Sequence, residues 1–426
     1  MILIYRVLTS ILFPFLIIFI YLRKFLKKED SVRFKEKIFS RFFNISRKEG
    51  TRLIWFHGAS IGEFKSIIPI IDELSKKNKN LEFLITTITV SSGNLAEEEL
   101  KRFRNVYHRF LPVDVKFVLE KFLASWQPEV IFLIDSEIWP NLIFLAKKNK
   151  IPLALINARI TKKSFRKWIA FKNSAKIIFK SFDLCLSSNI ETTKYLKELD
   201  AKRIIYTGNL KLANKIKFEK ISTIYDKILK NNFFWVAAST HHTEEDFCLK
   251  THIFLKKKFN NFKTILAPRH IERVPKLEKL CEKLELNYQI LGKNEPLSES
   301  KEVIIINSYG VLPIFLKHSK CVFLGKSLIE KLKDDSGQSP IEAAQLGCKI
   351  YHGPYVYNFE EIYEILKANK ISFEIKNYQE LLENLEKDFI NFSEKKLNTS
   401  VLMDNLGKKT LEETMKGIKL VLKHEN

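Results

Sequence analysis

Cysteine is scarce and scattered: Cys185, Cys248, Cys281, Cys321 and Cys348 are far apart, odd in number and never spaced as CxxC. That pattern excludes a disulfide framework and a structural zinc site, and it fits a reducing compartment. The C2H2 spacing and the RNP-type aromatic runs of nucleic-acid modules are also missing, which removes nucleic acid from the expected partners. Neither common nucleotide loop, GxGxxG or GxxxxGK[ST], occurs at the strand-to-helix turn discussed next. Acid is in deficit, since 72 lysines and arginines outnumber 49 aspartates and glutamates for a formal charge of +23. A surplus spread along nearly the whole chain favours anionic partners such as phospholipid, phosphorylated glycolipid or nucleotide. Core is not lacking: 46% of the 426 residues are hydrophobic and 34 are phenylalanine, enough for two or three domains.

Residues 53–74 organise what is present. An apolar run, Leu53 to Phe56, meets Gly58, Ser60, Gly62 and Glu63, after which Ile67, Ile68, Ile71 and Leu74 recur at helical spacing. The pattern predicts strand, tight turn and amphipathic helix, with Glu63 in the helix's first turn at the carboxyl edge of a parallel sheet. Two readings of Glu63 stand side by side. In one it closes a capping box, reaching back to the amide of Ser60 while Ser60 caps the amide of Glu63. In the other it is a carboxylate at the mouth of a crevice, placed to take a proton from a substrate hydroxyl.

Residues 1–21 are apolar apart from Arg6, about the length of an α-helical membrane span. Arg23, Lys24, Lys27 and Lys28 follow, and by the positive-inside rule they hold the body on the cytoplasmic face. Pro14 keeps the alternative of a helix lying in the interface open. From 50 to 208, short β-rich runs alternate with helical patterns, at 53–59, 81–88, 107–112, 130–135, 152–157, 184–187 and 203–207. A second series runs through 233–238, 262–267, 303–307, 321–325 and 348–351. These are βα units, and the expected class is α/β with two doubly wound domains. The expected organisation is a membrane anchor at 1–28, a first Rossmann-like domain at 29–210, a connection at 211–232, a second domain at 233–405, and a C-terminal helix at 406–426 packed on the body.

Polar groups gather at the strand ends. In the first domain these are Asp135-Ser136-Glu137-Ile138-Trp139-Pro140-Asn141, Asn157-Ala158-Arg159 and Gly208-Asn209-Leu210-Lys211. Trp139 reads as core, and Lys211 as a cation able to neutralise developing negative charge. The second domain carries Ser239, Thr240 and His241, then Pro268-Arg269-His270, then Tyr309-Gly310-Val311, then Ser339-Pro340-Ile341-Glu342. Arginine, histidine and helix starts suit a phosphate, and Glu342 suits ribose hydroxyls. Acid in one domain and an anion pocket in the other is the division that group transfer from a nucleotide-activated donor requires.

With Gly353-Pro354 and Asn358-Phe359, these segments keep one order along nearly the whole chain, and in that order the chain resembles the 3-deoxy-D-manno-octulosonic acid (Kdo) transferase family. The resemblance implies a glycosyltransferase B fold, with two Rossmann-like domains facing a cleft and an N-terminal membrane-anchoring helix. It implies inverting transfer of Kdo from CMP-Kdo to a lipid A precursor of lipid IVA type, at the cytoplasmic face of the inner membrane, with phospholipid as a further partner. No metal or other cofactor is expected. By the same resemblance Glu63 is the proton acceptor, and Glu137 and Lys211 stabilise the transition state. Pro268, Arg269, Tyr309, Gly310, Val311, Ser339, Pro340, Ile341 and Glu342 form the CMP site, and Ser239, His241, His270 and Asn358 are further candidates. Ser336-Gly337-Gln338-Ser339 stands where the family usually has Gly-Gly-His-Asn, and Val311 where it has an acid. The rival readings are a UDP-sugar transferase and a membrane-tethered binding protein without turnover.

Overall fold

The computed structural model describes residues 2–43, 50–216, 225, 228–230, 233–390 and 397–422. The chain divides into two compact units, Met1–Asn214 with Leu406–Asn426, and Lys215–Asn405. The first unit begins with helices α1 (Ile2–Ile11) and α2 (Phe13–Phe25). It continues through β1 (Arg52–His57), α3 (Ile61–Lys77), β2 (Leu81–Thr87), α4 (Val90–Leu100), β3 (Val106–Phe110), α5 (Lys116–Trp126), β4 (Val130–Ile134) and α6 (Pro140–Lys148). Then come β5 (Leu153–Ala158), α7 (Lys162–Ala170), α8 (Lys172–Lys180), β6 (Leu184–Ser187), α9 (Ile190–Glu198) and β7 (Ile204–Tyr206). The seven strands pair in parallel in the order β3-β2-β1-β4-β5-β6-β7. Strand order reverses between β1 and β4, which opens a crevice at their carboxyl ends.

Strand alternation sorts the core into two layers. Leu53 and Trp55 of β1 point into a cluster with α5, α6, α8 and α9, whereas Ile54 and Phe56 point into one with α3, α4 and the C-terminal helix Ser400–Lys419. Helix α3 forms because its apolar residues repeat at helical spacing and Ser60 caps it. Burying Phe64, Ile67, Ile70, Ile71 and Leu74 contributes roughly 10 kcal/mol gross.

The second unit holds β8 (Phe234–Thr240), β9 (Lys263–Pro268), β10 (Tyr288–Leu291), β11 (Val303–Ile306), β12 (Cys321–Leu324), β13 (Lys349–His352) and β14 (Ser372–Glu374). They form a second parallel sheet in the order β10-β11-β9-β8-β12-β13-β14, whose crevice opens between β8 and β12. Strands β10 and β14 lie outside the two series of apolar runs. Both are edge strands with half-exposed residues, so neither carries the continuous apolar signature of a buried strand.

The N-terminus corrects one expectation. No single helix among the described residues is long and apolar enough to cross a membrane; α1 and α2 meet that test only as a pair bent by 58°. The physical cause is Pro14, in the first turn of α2, which supplies no N–H to continue the ladder from α1. Most of the expected connection at 211–232 lies outside the described residues. Its beginning, Leu210–Ala213, is a short 3-10 turn of the first unit. Tyr225 and Leu229 are buried in the second, where the Tyr225 hydroxyl donates to the Glu295 carbonyl at 2.7 Å.

Candidate functional site

At the crevice of the first sheet, the turn after β1 places Glu63 over the end of the strand. Gly58 permits this, because a Cβ there would stand 3.0 Å from the Glu63 Cβ. Ser60 Oγ accepts from the Glu63 amide at 3.4 Å, while Glu63 Oε1 accepts from the Ser60 hydroxyl at 2.8 Å and Oε2 from the Ala59 amide at 2.7 Å. The capping box is therefore present but shifted: the glutamate reaches Ala59 rather than the expected amide of Ser60. Burial raises the Glu63 pKa above the ordinary glutamate range, and the neighbouring Glu137 charge raises it further. The capping contacts thus hold a carboxylate of raised pKa at the crevice.

Across the crevice, Asp135 follows β4 with φ of 62°, and its carbonyl accepts from the Arg159 amide at 3.1 Å. Glu137 Oε2 is gripped twice, by His57 Nε2 at 3.1 Å and by the Trp139 indole N–H at 2.9 Å. The His57 contact has a direction. Trp55 Nε1 donates to Thr86 Oγ1 at 2.9 Å, and an indole only donates. Because a carboxylate only accepts, the His57 Nε2 proton meets Glu137, while Nδ1 lies 2.9 Å from the Thr86 hydroxyl and 3.1 Å from the Thr86 carbonyl. Trp139 is accordingly a hydrogen-bond donor to the site as well as core. His57, fully buried, is a site residue that sequence reading passed over; its signal was a histidine ending an apolar strand.

Lys211 enters from the segment after β7. Asn157, at φ of 52°, accepts from the Leu210 amide at 2.9 Å, and Asn209 accepts from the Lys211 amide at 3.1 Å. The ammonium reaches Asp135 at 3.5 Å, and the lysine stem stands over α3, 3.7 Å from where a Cβ on Gly62 would lie. Glu63, Glu137 and Lys211 are thus brought together, with Asp135 as a third carboxylate. Such a cluster can accept a proton and steady charge beside it.

The second unit's crevice has the opposite sign. Ser239 turns at φ of 56° after β8, and His241 Nδ1 lies 3.1 Å from the Ser239 carbonyl. The Arg269 amide donates to the Thr240 carbonyl at 3.0 Å, leaving its exposed guanidinium beyond buried Pro268 at the end of β9. His241 and His270 meet edge to face, 5.8 Å between centroids. Burial lowers the His241 pKa, the hydrogen bond to the Ser239 carbonyl opposes that, and nearby Lys326, His270 and Arg269 lower it further. Lys326 is a second residue that sequence reading missed; it turns at φ of 58° after β12.

Glu244, in the first turn of the helix Glu244–Leu255, ties these loops together. Its carboxylate accepts four backbone amides, from His241 at 3.0 Å, Lys326 at 2.7 Å, Ser327 at 2.9 Å and Leu328 at 3.1 Å. Tyr309 and Gly310 are exposed after β11, whereas Val311 is buried beneath them. Beyond β12, the Gly337 amide donates to the Lys326 carbonyl at 2.7 Å, which brings the loop leading to Ser339 against the same edge. Buried Pro340 and Ile341 follow, and half-buried Glu342 opens the short helix Ile341–Gln345. Asn358 joins this loop, its amide donating to the Ser336 carbonyl at 2.9 Å and its side chain to Asp335 at 3.1 Å. Among the described residues no three histidine, cysteine, aspartate or glutamate side chains converge as metal ligands.

Residues 36–214 match the family model of 3-deoxy-D-manno-octulosonic-acid transferase (kdotransferase). The chain is 31% identical over 336 residues to the 3-deoxy-D-manno-octulosonic acid transferase of Rickettsia felis, covering 78% of this chain and 70% of that one. It is 30% identical over 353 residues to the enzyme of that name from Aquifex aeolicus, covering 82% and 90%. Among solved structures, a glycosyltransferase from Rickettsia africae superposes with a TM-score of 0.58 at 12% identity, covering 88% of this chain and all of that one. The fold is of the glycosyltransferase B class.

Proposed function

We propose, from the premise that this chain belongs to the 3-deoxy-D-manno-octulosonic acid transferase family, that it transfers Kdo from CMP-Kdo to a lipid A precursor with inversion at the anomeric carbon. The observation that carries the chemistry is Glu63, a carboxylate of raised pKa fixed by Ser60 and Ala59 beside Glu137 and Lys211. Glu63 takes the proton from an acceptor hydroxyl, and the hydroxyl oxygen forms the new bond to the anomeric carbon. The bond from that carbon to the CMP phosphate breaks, and its electron pair leaves with the phosphate. Lys211 offsets the negative charge that builds up near Glu63, and Glu137, held by His57 and Trp139, stabilises positive charge on the reacting sugar. Arg269, with His241, His270 and Lys326 close by, receives the CMP phosphate. Tyr309, Gly310, Val311 and the Ser339-to-Glu342 segment complete the nucleotide site, Glu342 accepting from ribose hydroxyls.

The acceptor is a lipid, and α1 and α2 supply its meeting place. Leu3, Ile11, Phe15, Ile18, Phe19, Leu22 and Phe25 are all exposed on this bent pair, next to Arg23 and Lys24. An apolar surface of that extent beside basic residues suits the cytoplasmic face of the inner membrane, with the pair lying in the interface. The pair is also tied to the body: the Tyr5 hydroxyl donates to Asp114 at 2.9 Å, and Asn141 donates to Thr9 at 3.1 Å. Incubation with CMP-Kdo and a lipid A precursor, read by product mass and anomeric configuration, tests the proposal. A lipid heavier by whole Kdo units with inverted configuration is expected; unchanged acceptor overturns it.

A further inference from the structure

Helices α7 and α8 meet at Phe171, whose φ of −124° and ψ of 44° break the helix and make an elbow. No residue of α7 is buried; Phe165, Trp168 and Ile169 lean on the first core cluster and the rest faces out. Phe171 and Ile177 are 58% and 55% exposed, large apolar groups at and just past the bend. From Lys162 to Lys180 the sequence contains no acid. Lys176 and Lys180 are balanced by Asp200 at 3.0 and 3.8 Å, but Lys163, Arg166 and Lys167 form no ion pair among the described residues.

This charge pattern works against the helix itself. Lysines in the first turn oppose the macrodipole, and like charges four apart, as at Lys163 and Lys167, repel. An anionic surface offsets both costs. The elbow also shares a helix layer with the N-terminal pair. Helix α8 packs on α6, whose Phe144 carries the Arg6 guanidinium of α1 at 4.2 Å, and Phe117 of α5 meets Phe13 of α2 at 4.8 Å.

We propose that the α7–α8 elbow is a second contact with an anionic phospholipid bilayer, in which Lys163, Arg166 and Lys167 lie on headgroups and Phe171 enters the interface. The proposal rests on the reading that α1 and α2 lie on a bilayer, and it adds to that reading a preference for anionic lipid.

Flotation of the full chain with vesicles of phosphatidylcholine, and of phosphatidylcholine mixed with phosphatidylglycerol, tests it. The unaltered chain is expected to bind both, more tightly when phosphatidylglycerol is present and less so in high salt. The triple variant Lys163→Glu/Arg166→Glu/Lys167→Glu is expected to lose roughly 10- to 100-fold of the binding to the mixed vesicles. Its binding to phosphatidylcholine alone should stay unchanged, and a denaturation midpoint equal to that of the unaltered chain shows that it folds. Phe171→Ser should weaken binding to the mixed vesicles by a smaller factor. Full retention of the phosphatidylglycerol preference in the triple variant overturns the proposal while leaving the N-terminal reading intact. If the unaltered chain floats with neither vesicle, both readings fall.

Discussion

Glu63 and Glu244 occupy equivalent places in the two units. Each lies in the first turn of the helix that follows the first strand of its sheet, at the point where strand order reverses. Glu244 is almost wholly buried and spends both oxygens on four backbone amides drawn from two loops. Among the described residues Glu63 accepts only from Ala59 and Ser60; it is less deeply buried and has Glu137 as a neighbour. Burial raises both pKa values, but four amides oppose the rise at Glu244 whereas a second carboxylate adds to it at Glu63. One position has become a clamp for loops and the other a candidate base. The fold provides the place, and the surrounding donors decide its use.

The same substitution at both positions separates them most sharply. Glu244→Gln turns an NH2 group toward backbone N–H donors, leaving two amides without an acceptor. Roughly 3 kcal/mol of stability should be lost, read as a lower denaturation midpoint of the full chain. A midpoint equal to that of the unaltered chain would deny the clamp. Glu63→Gln should instead lower turnover by about 100-fold or more, equivalent to about 2.7 kcal/mol, with CMP-Kdo binding retained. Normal turnover in that variant removes Glu63 from the mechanism.

Arg269→Ala breaks the comparison from the basic side. Losing a charge-assisted hydrogen bond to phosphate should weaken CMP binding by about 2 kcal/mol in calorimetry, with little change in melting without ligand. Unchanged affinity would move the anion pocket elsewhere. The pH profile gives a finer distinction. Glu63 works as a base only when ionised, so turnover should rise as pH climbs through a value above the ordinary glutamate range. The linked stability runs the other way: the folded state holds this proton more tightly than the unfolded chain, and that contribution fades as pH rises through the same window. In Glu137→Gln, with the like charge removed, the rising limb should move to lower pH; a limb that stays put would show that Glu137 does not act on Glu63. The smallest effect is on the stability of Glu63→Gln, at most about 1 kcal/mol, because glutamine still accepts from the Ala59 amide.

Sequence alone determined the α/β class and the strand ends that carry polar groups. It also placed Glu63 in the first turn of a helix, with cap and proton acceptor as its two rival readings, because alternation, helical spacing and capping are encoded within a few residues of one another. The edge strands β10 and β14 escaped it, since a half-exposed strand lacks the apolar run that marks a buried one. It expected a membrane-anchoring helix at the N-terminus, made less secure as a straight span by Pro14, where the structure has two helices bent by 58°. Tertiary structure alone decided that His57 orients Glu137, 80 residues away, and that Trp139 donates to the same oxygen. It alone matched Glu244 with amides more than 80 residues on, at Lys326, Ser327 and Leu328. Those partners depend on which strands become neighbours when the sheet forms, a choice made by packing of the whole core and written in no local pattern.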